Sequence, residues 1–163
     1  MCVADRPKME IIRWVNEAVV RANLPLVSGG LDTQRCIYYT VIPGQTGCIE
    51  CWREHVRRND PASDELLDRK RELQIGGDNA AFVPLVTVTT GLLLGELVRL
   101  VTGVAPPVAA GRLIQVRFSD YETTEAERWE RLPDCPVCST PGPRLAGVGE
   151  LAGVGEAAAV RTD

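Results

Sequence analysis

Two short cysteine pairs are the residues of this 163-residue chain whose types and spacing point most directly to chemistry. Cys48 and Cys51 form the first pair, and Cys135 and Cys138 form the second, each with two residues in between. Zinc prefers tetrahedral thiolate coordination, and a Cys-x-x-Cys turn presents two thiolates from one tight bend. The spacing therefore predicts one structural zinc ion bound by all four cysteines, which would tie the middle of the chain to its C-terminal part.

Two other interpretations of the cysteines stay open. One pair could be a redox dithiol, although neither pair is expected at the start of a helix after a strand in a thioredoxin-like context. The four cysteines could also be unrelated core residues, which is common for single cysteines and improbable for two matched pairs. Cys2 and Cys36 are expected as ordinary buried strand residues, and His55, one helical turn beyond Cys51, as a surface residue.

The overall charge and the apolar segments argue against several classes of protein. A net charge of −4 and a pI of about 5.1 disfavour a nucleic-acid-binding protein, which normally shows a basic surface. The most apolar stretch, residues 82–101, contains Glu96 and Arg99, so it is predicted as a buried helix and not as a membrane span. Because six cysteines occur without a visible signal peptide, we expect a cytoplasmic protein with no nucleic-acid and no membrane partner.

The elements that must position the cysteines alternate between strands and helices. Residues 7–22 carry apolar side chains at the i, i+3, i+4, i+7 spacing of an amphipathic helix. A strand end at residues 2–4 precedes this helix, and a short buried strand at 25–27, closed by a turn at 28–30, follows it. This is the order of a parallel crossover unit. The remaining predicted elements are a strand at 36–42, a polar helix at 48–58, a short helix near 64–73, a long helix at 84–102 and a strand at 113–118.

The composition changes after Cys138. Residues 139–163 are rich in Gly, Ala and Pro and contain a six-residue unit, Leu-Ala-Gly-Val-Gly-Glu, twice in tandem. Two copies of so short a unit cannot build a repeat structure, and the segment has little bulky apolar surface to offset chain entropy. We therefore predict one domain at residues 1–138 and a disordered tail at residues 139–163.

Seven runs of sequence follow one another in a characteristic order. They are Asp5-Arg6-Pro7, Trp14-Val-Asn16-Glu-Ala18, Leu24-Pro-Leu-Val-Ser-Gly29, Val41-Ile-Pro-Gly44, the pair Cys48 and Cys51, the helical run at 91–103, and the pair Cys135 and Cys138. In this order they resemble the second half of the ThiF family of adenylyltransferases. The family includes enzymes that activate sulfur-carrier proteins in thiamin and molybdopterin synthesis, and the ubiquitin-activating enzymes. The resemblance covers nearly all of residues 2–138. It implies an α/β fold class, half of a Rossmann-like ThiF fold in which parallel strands continue into antiparallel strands.

The resemblance also implies a reaction and its partners. ThiF-family enzymes bind ATP with Mg²⁺ and adenylate the C-terminal carboxylate of a ubiquitin-like sulfur-carrier protein or a ribosomal peptide. Asp5 matches the family aspartate that helps to place the magnesium-bound phosphates, which suits the preference of Mg²⁺ for carboxylate oxygens. The same residue could instead cap the helix that starts at Pro7. A homodimer, or pairing with a complementary N-terminal half, is the implied assembly.

The sequence departs from the family pattern in two ways. The family's Gly-rich nucleotide loop, its ribose-binding acid and its phosphate-binding Arg and Lys precede the matched region and are not found in this chain. Residues 52–134 hold no cysteine, although many members place a reactive cysteine there, so no covalent thiol intermediate is expected. We therefore predict the C-terminal part of an adenylyltransferase that lacks the ATP-binding half and is inactive alone. The alternative is a non-catalytic, zinc-stapled module that mediates dimerisation or presents a peptide in a split ThiF-like enzyme.

Overall fold

A computed structural model describes residues 8–31, 34–63, 65, 69 and 82–140. The predicted strand end at 2–4, Asp5, most of the predicted helix near 64–73 and nearly all of the predicted tail lie outside these residues. The described elements are α1 (Lys8–Arg21), β1 (Leu26–Leu31), β2 (Arg35–Val41), α2 (Ile49–Asn59), α3 (Val83–Thr102), β3 (Arg112–Arg117) and β4 (Thr123–Arg128).

The four strands form one sheet in the order β1-β2-β3-β4, and each neighbouring pair is antiparallel. In the described part of the chain, parallel pairing is limited to a single bridge between Thr40 and Ala110. The antiparallel half of the predicted fold class is therefore confirmed. The parallel crossover would need the strand end at 2–4, which lies outside the described residues.

The predicted turn at residues 28–30 is wrong, because β1 continues through it to Leu31. A Cβ atom on Gly29 would lie 2.5 Å from the carbonyl oxygen of Ile37 and 3.2 Å from a methyl group of Leu93. Glycine at this position thus permits close packing between β1, β2 and α3 and does not reverse the chain. The strand β4 was not predicted, since its charged residues lie on an exposed sheet edge and lack an apolar alternation.

Alternating residues of β2 divide the core between the two faces of the sheet. Cys36 and Tyr38 point to one face, where they pack with Leu85 of α3; we name this the α3 side. Tyr39 and Val41 point to the other face, where they pack with Val20 of α1 and with the four paired cysteines; we name this the cysteine side. Because successive side chains of a strand point to opposite faces of the sheet, each face is covered by different elements.

Helix α3 buries only one of its faces. Leu85, Thr89, Glu96 and Leu100 are buried against the sheet, and the helix ends at Gly103, whose φ of 65° closes it in the left-handed conformation. The prediction of a buried helix is therefore correct for this face alone. By length and apolar composition α3 could also cross a membrane, a test that core helices of globular proteins pass as well.

The buried carboxylate of Glu96 joins α3 to the sheet. It accepts hydrogen bonds from Thr40 Oγ1 at 3.1 Å and from the backbone amides of Val108 at 2.8 Å and Ala109 at 3.0 Å. Three donors compensate the cost of removing this carboxylate from water. The side chain thereby fixes the segment that leads from α3 into β3.

Candidate metal centre

The two cysteine pairs meet on the cysteine side of the sheet. All four Sγ atoms lie within 4.8 Å of one another, and each side chain is at most 2% exposed. The Sγ–Sγ distances are 4.0 Å for Cys48–Cys51, 3.7 Å for Cys48–Cys135 and 3.4 Å for Cys51–Cys138. Thiolates bound at 2.3 Å around a tetrahedral zinc ion would stand about 3.8 Å apart, so the sulfur positions fit such an ion.

The first pair is placed by the start of α2. Cys48 is the N-cap residue of this helix, and Cys51 lies in its first turn. The Cys48 side chain makes no capping hydrogen bond. The buried Asn16 of α1 supplies the cap, because its Oδ1 accepts a hydrogen bond from the backbone amide of Ile49 at 3.0 Å. This arrangement leaves the Cys48 sulfur directed at the other cysteines.

Asn16 was not singled out as a functional residue from the sequence. It lies four residues before the buried Val20, on the apolar face of α1. A buried position occupied by a polar residue is the signal that could have marked it. Gly47 directly precedes the first pair. A Cβ atom there would lie 2.6 Å from the carbonyl oxygen of Glu130 and 2.7 Å from Cδ1 of Trp129, so the closeness of the two cysteine segments requires glycine.

The second pair is held against the first by several hydrogen bonds. The backbone amide of Leu132 donates to the sulfur of Cys51 at 3.4 Å. The indole N–H of Trp129 donates to the carbonyl oxygen of Gly47 at 3.1 Å. The guanidinium of Arg131 donates to the carbonyl oxygen of Cys138 at 2.7 and 3.1 Å. Contacts on both sides of Cys135 therefore fix the loop that carries the second pair.

The thiols of the cluster influence one another's protonation. A hydrogen bond from the Cys48 thiol lowers the pKa of Cys51 to about 5, and the same contact together with burial raises the pKa of Cys48. Burial is the main cause that raises the pKa of Cys138 to about 11. Four thiolates at this separation would repel one another, so full deprotonation requires a cation between them. Metal binding at such a site releases protons and weakens as the pH falls.

This geometry favours a metal site over the two other interpretations. Cys48 stands at the start of α2, in agreement with the helix predicted at 48–58, and this position by itself would suit a redox pair. However, each sulfur lies near a sulfur of the other pair, at distances similar to that within the first pair. Cys36 lies apart, on the α3 side, and His55 contacts Asn59 on α2.

A polar cleft of about 370 Å³ lies beside the cluster, between α2 and the second pair. Its charged lining residues are Arg53, Arg57, Arg58, Glu50, Glu54 and Asp134. Glu54 pairs with two of these arginines and Glu50 with the third, so the cleft has no excess charge to select an anion. Asp5, which was predicted to place the magnesium-bound phosphates, lies outside the described residues.

Comparison with known proteins relates this fold to a family. The model of the ThiF family matches residues 2–137. Protein HesA of Leptolyngbya boryana is 31% identical over 130 residues, which cover 79% of this chain and 40% of HesA. The crystal structure of E. coli MccB with ATP has a TM-score of 0.65 and 26% identity, covering 84% of this chain and 38% of MccB. The crystal structure of E. coli MccB with AMPCPP and MccA has a TM-score of 0.64 and 25% identity, with the same coverage of both chains.

The region matched by the family model contains Cys48, Cys51 and Cys135 and ends one residue before Cys138. The chain spans about 40% of the length of the relatives that it matches. The heterocyclase TruD, at 22% identity and a TM-score of 0.52, shares the fold alone. Since the family model covers residues 2–137 of the 163, the chain belongs to the ThiF family.

Proposed function

We propose that this chain is the zinc-stapled C-terminal part of a ThiF-type adenylyltransferase. The complete enzyme would use ATP and Mg²⁺ to adenylate the C-terminal carboxylate of a ubiquitin-like sulfur carrier or a ribosomal peptide. The observation that carries the proposal is the family match over residues 2–137, together with the convergence of the two cysteine pairs. Structures of the similar MccB with ATP and with MccA support a nucleotide and a peptide partner.

The metal in this proposal is one structural Zn²⁺ held by Cys48, Cys51, Cys135 and Cys138. Four protein ligands fill the tetrahedral coordination sphere of the ion and leave no position for substrate. In this proposal the ion therefore crosslinks the chain and takes no part in the reaction. The burial of all four sulfurs and their distances support this ligand set. Reduced thiols are also consistent with the cytoplasmic location that we propose.

The ATP site would be shared between this chain and further polypeptide. Asp5 is the residue here that we assign to placing Mg²⁺ and the phosphates. The sequence contains no G-x-G-x-x-G at a strand-to-helix turn, so we propose that the chain is inactive until a complementary N-terminal half supplies the nucleotide loop. That half, or a second copy of the chain, is the proposed protein partner.

The test is ATP–pyrophosphate exchange measured with the full chain, alone and mixed with the part of HesA that it does not match. We expect no exchange from the chain alone and measurable exchange from the mixture. Asp5→Asn should abolish the exchange of the mixture, whereas Asp120→Asn, on the loop before β4, should leave it unchanged. Robust exchange from the chain alone would refute the need for a complementary half.

The alternative is a non-catalytic zinc-stapled module for dimerisation or peptide presentation. The observation that favours it is that residues 1–163 contain no G-x-G-x-x-G at a strand-to-helix turn. A mixture that forms a complex and binds zinc, yet shows no exchange with any carboxylate substrate, would support this alternative over the enzyme.

A further inference from the structure

The two cysteine pairs differ in how their backbones are held in place. Cys51 lies in the first turn of α2, and the buried Asn16 caps the start of that helix. Cys135 and Cys138 lie in residues 131–139, which follow β4 and belong to neither a helix nor a strand. We name residues 131–139 the second cysteine loop. Because it lacks regular structure, this loop is the part of the cluster that opens at the lower cost.

The second cysteine loop consists of two successive turns. The backbone amide of Cys135 donates to the carbonyl oxygen of Leu132 at 3.3 Å, and that of Ser139 donates to the carbonyl oxygen of Cys135 at 3.1 Å. The start of the loop is tied to the first pair, since the amide of Leu132 donates to the sulfur of Cys51 at 3.4 Å. Neither turn, however, ties Cys138, which is the last of the four cysteines in chain order, to the start of the loop. A contact at this end of the loop is needed to hold the fourth sulfur in place.

The half-buried side chain of Arg131 supplies that contact. Its Nε and Nη2 atoms donate to the carbonyl oxygen of Cys138 at 3.1 and 2.7 Å, and Nη2 also donates to the carbonyl oxygen of Ser139 at 2.8 Å. The guanidinium therefore bridges the first residue of the loop and its last two. A planar guanidinium holds several acceptors in a fixed geometry, which the single ammonium of lysine does not reproduce.

The charge of Arg131 is also available to the cluster. In the part of the chain that the structure describes, the guanidinium bonds to backbone carbonyls and forms no ion pair with a carboxylate. Arg128, three residues earlier, instead pairs with Glu125 at 2.7 Å. Four thiolates outweigh the charge of one Zn²⁺, so the loaded site is anionic and is stabilised by a cation beside it.

We infer that Arg131 is the positioning residue of the Cys138 ligand and thereby sets how tightly the site holds its metal. By fixing the carbonyl oxygens of Cys138 and Ser139, it keeps the Cys138 thiolate directed at the other three sulfurs. Metal loss begins with the release of Cys138, while the first pair stays in place on α2. The inference rests on the zinc site of the proposed function and adds the residue that governs metal retention at that site.

The test is the zinc dissociation constant of the full chain, measured by competition with a chelating dye. Arg131→Ala should raise this constant by about 10- to 100-fold, the usual effect of removing a group that orients a metal ligand. Arg131→Lys keeps the charge but lacks the planar fork, so its constant should lie between those of the wild type and Arg131→Ala. Arg128→Ala is the matched control: this arginine is 60% exposed, and its loss should leave zinc binding unchanged.

The order in which the ligands open separates a positioning role from a general loss of structure. The zinc-loaded chains are treated with iodoacetamide, and the labelled cysteines are identified by peptide mass spectrometry, with far-UV circular dichroism as the measure of folding. In Arg131→Ala, Cys138 should be labelled before Cys48 and Cys51, whereas general unfolding would expose all four cysteines at one rate.

Two results would overturn the inference alone. The first is a zinc-binding wild type whose dissociation constant and labelling order are the same in Arg131→Ala. The second is equal labelling of the four cysteines in both Arg131→Ala and Arg131→Lys. A wild-type chain that binds no zinc would instead refute the metal site of the proposed function, and this inference with it.

Discussion

The two faces of the four-stranded sheet differ in what holds their covering segments in place. On the α3 side, one long helix packs through aliphatic residues, and Glu96 fixes the segment that follows it. On the cysteine side, a short helix and an irregular segment converge from positions 87 residues apart in sequence and meet at four sulfurs. The α3 side is complete without a metal, whereas the cysteine side has its long-range contacts concentrated where the proposed zinc ion would bind.

The largest effect should come from removing the metal from the cysteine side. A crosslink that closes a loop of 87 residues stabilises the folded chain by about 4–5 kcal/mol in the chain-entropy model. Chelation, or the substitution Cys51→Ser, should therefore lower the free energy of unfolding by about this amount. Urea titration followed by the fluorescence of Trp52 and Trp129, whose rings pack 6.4 Å apart on this side, would measure the loss.

Cys36→Ser is the matched control for that experiment. Cys36 is as buried as Cys51 but lies on the α3 side, so both substitutions place a serine hydroxyl in the core. Cys36→Ser should retain about one zinc ion per chain, as a four-ligand site requires, and Cys51→Ser should lose most of it. Equal zinc contents in the two variants would contradict the proposed ligand set.

A smaller loss is expected when the α3 side is broken at Glu96. Glu96→Ala leaves the Thr40 hydroxyl and the amides of Val108 and Ala109 without their acceptor, which should cost about 3 kcal/mol. Glu96→Gln keeps one acceptor oxygen and should cost less. Zinc content should stay at the wild-type level in both variants, and its loss on Glu96→Ala would show that the two faces are not independent.

The same contrast explains what could be predicted from the sequence. The cysteine pairs were recognisable because residue type and local spacing together specify a metal turn, and their convergence is confirmed. The cap by Asn16 and the contact over Gly47 depend on segments far apart in sequence, which local patterns do not report. The exposure of one face of α3 was not predicted, because aliphatic residues occur on all sides of the helix and the sequence therefore shows no polar face. In β1, the Gly-Gly run has the composition of a turn, but Gly29 is required there for close packing.

Crowding between the two cysteine segments gives the third prediction. Gly47→Ala should lower the free energy of unfolding by about 2 kcal/mol, because the new methyl group overlaps the carbonyl oxygen of Glu130. Gly30→Ala, in β1, meets no atom within 4 Å in the described residues and should change stability by less than about 0.5 kcal/mol. Thermal unfolding of both zinc-loaded variants compares them. Equal melting temperatures would show that the two cysteine segments are free to separate.

The smallest effect should arise at the cap of α2, which joins α1 to the first cysteine pair. Asn16→Ala removes the acceptor for the Ile49 amide and should cost about 1 kcal/mol, a typical value for a lost helix cap. The Nδ2 atom of Asn16 is buried without a partner in the described residues, so the alanine also removes an unsatisfied donor and the loss should not be larger. Asn16→Asp keeps an acceptor oxygen at the positive end of the helix dipole and should cost less than Asn16→Ala. Hydrogen exchange at the Ile49 amide would measure the opening of this cap directly. Faster exchange of the Ile49 amide in Asn16→Ala, with unchanged exchange of the amides on the α3 side, would place the effect at the first cysteine pair. An unchanged exchange rate at Ile49 would mean that the metal-binding turn holds the start of α2 without Asn16.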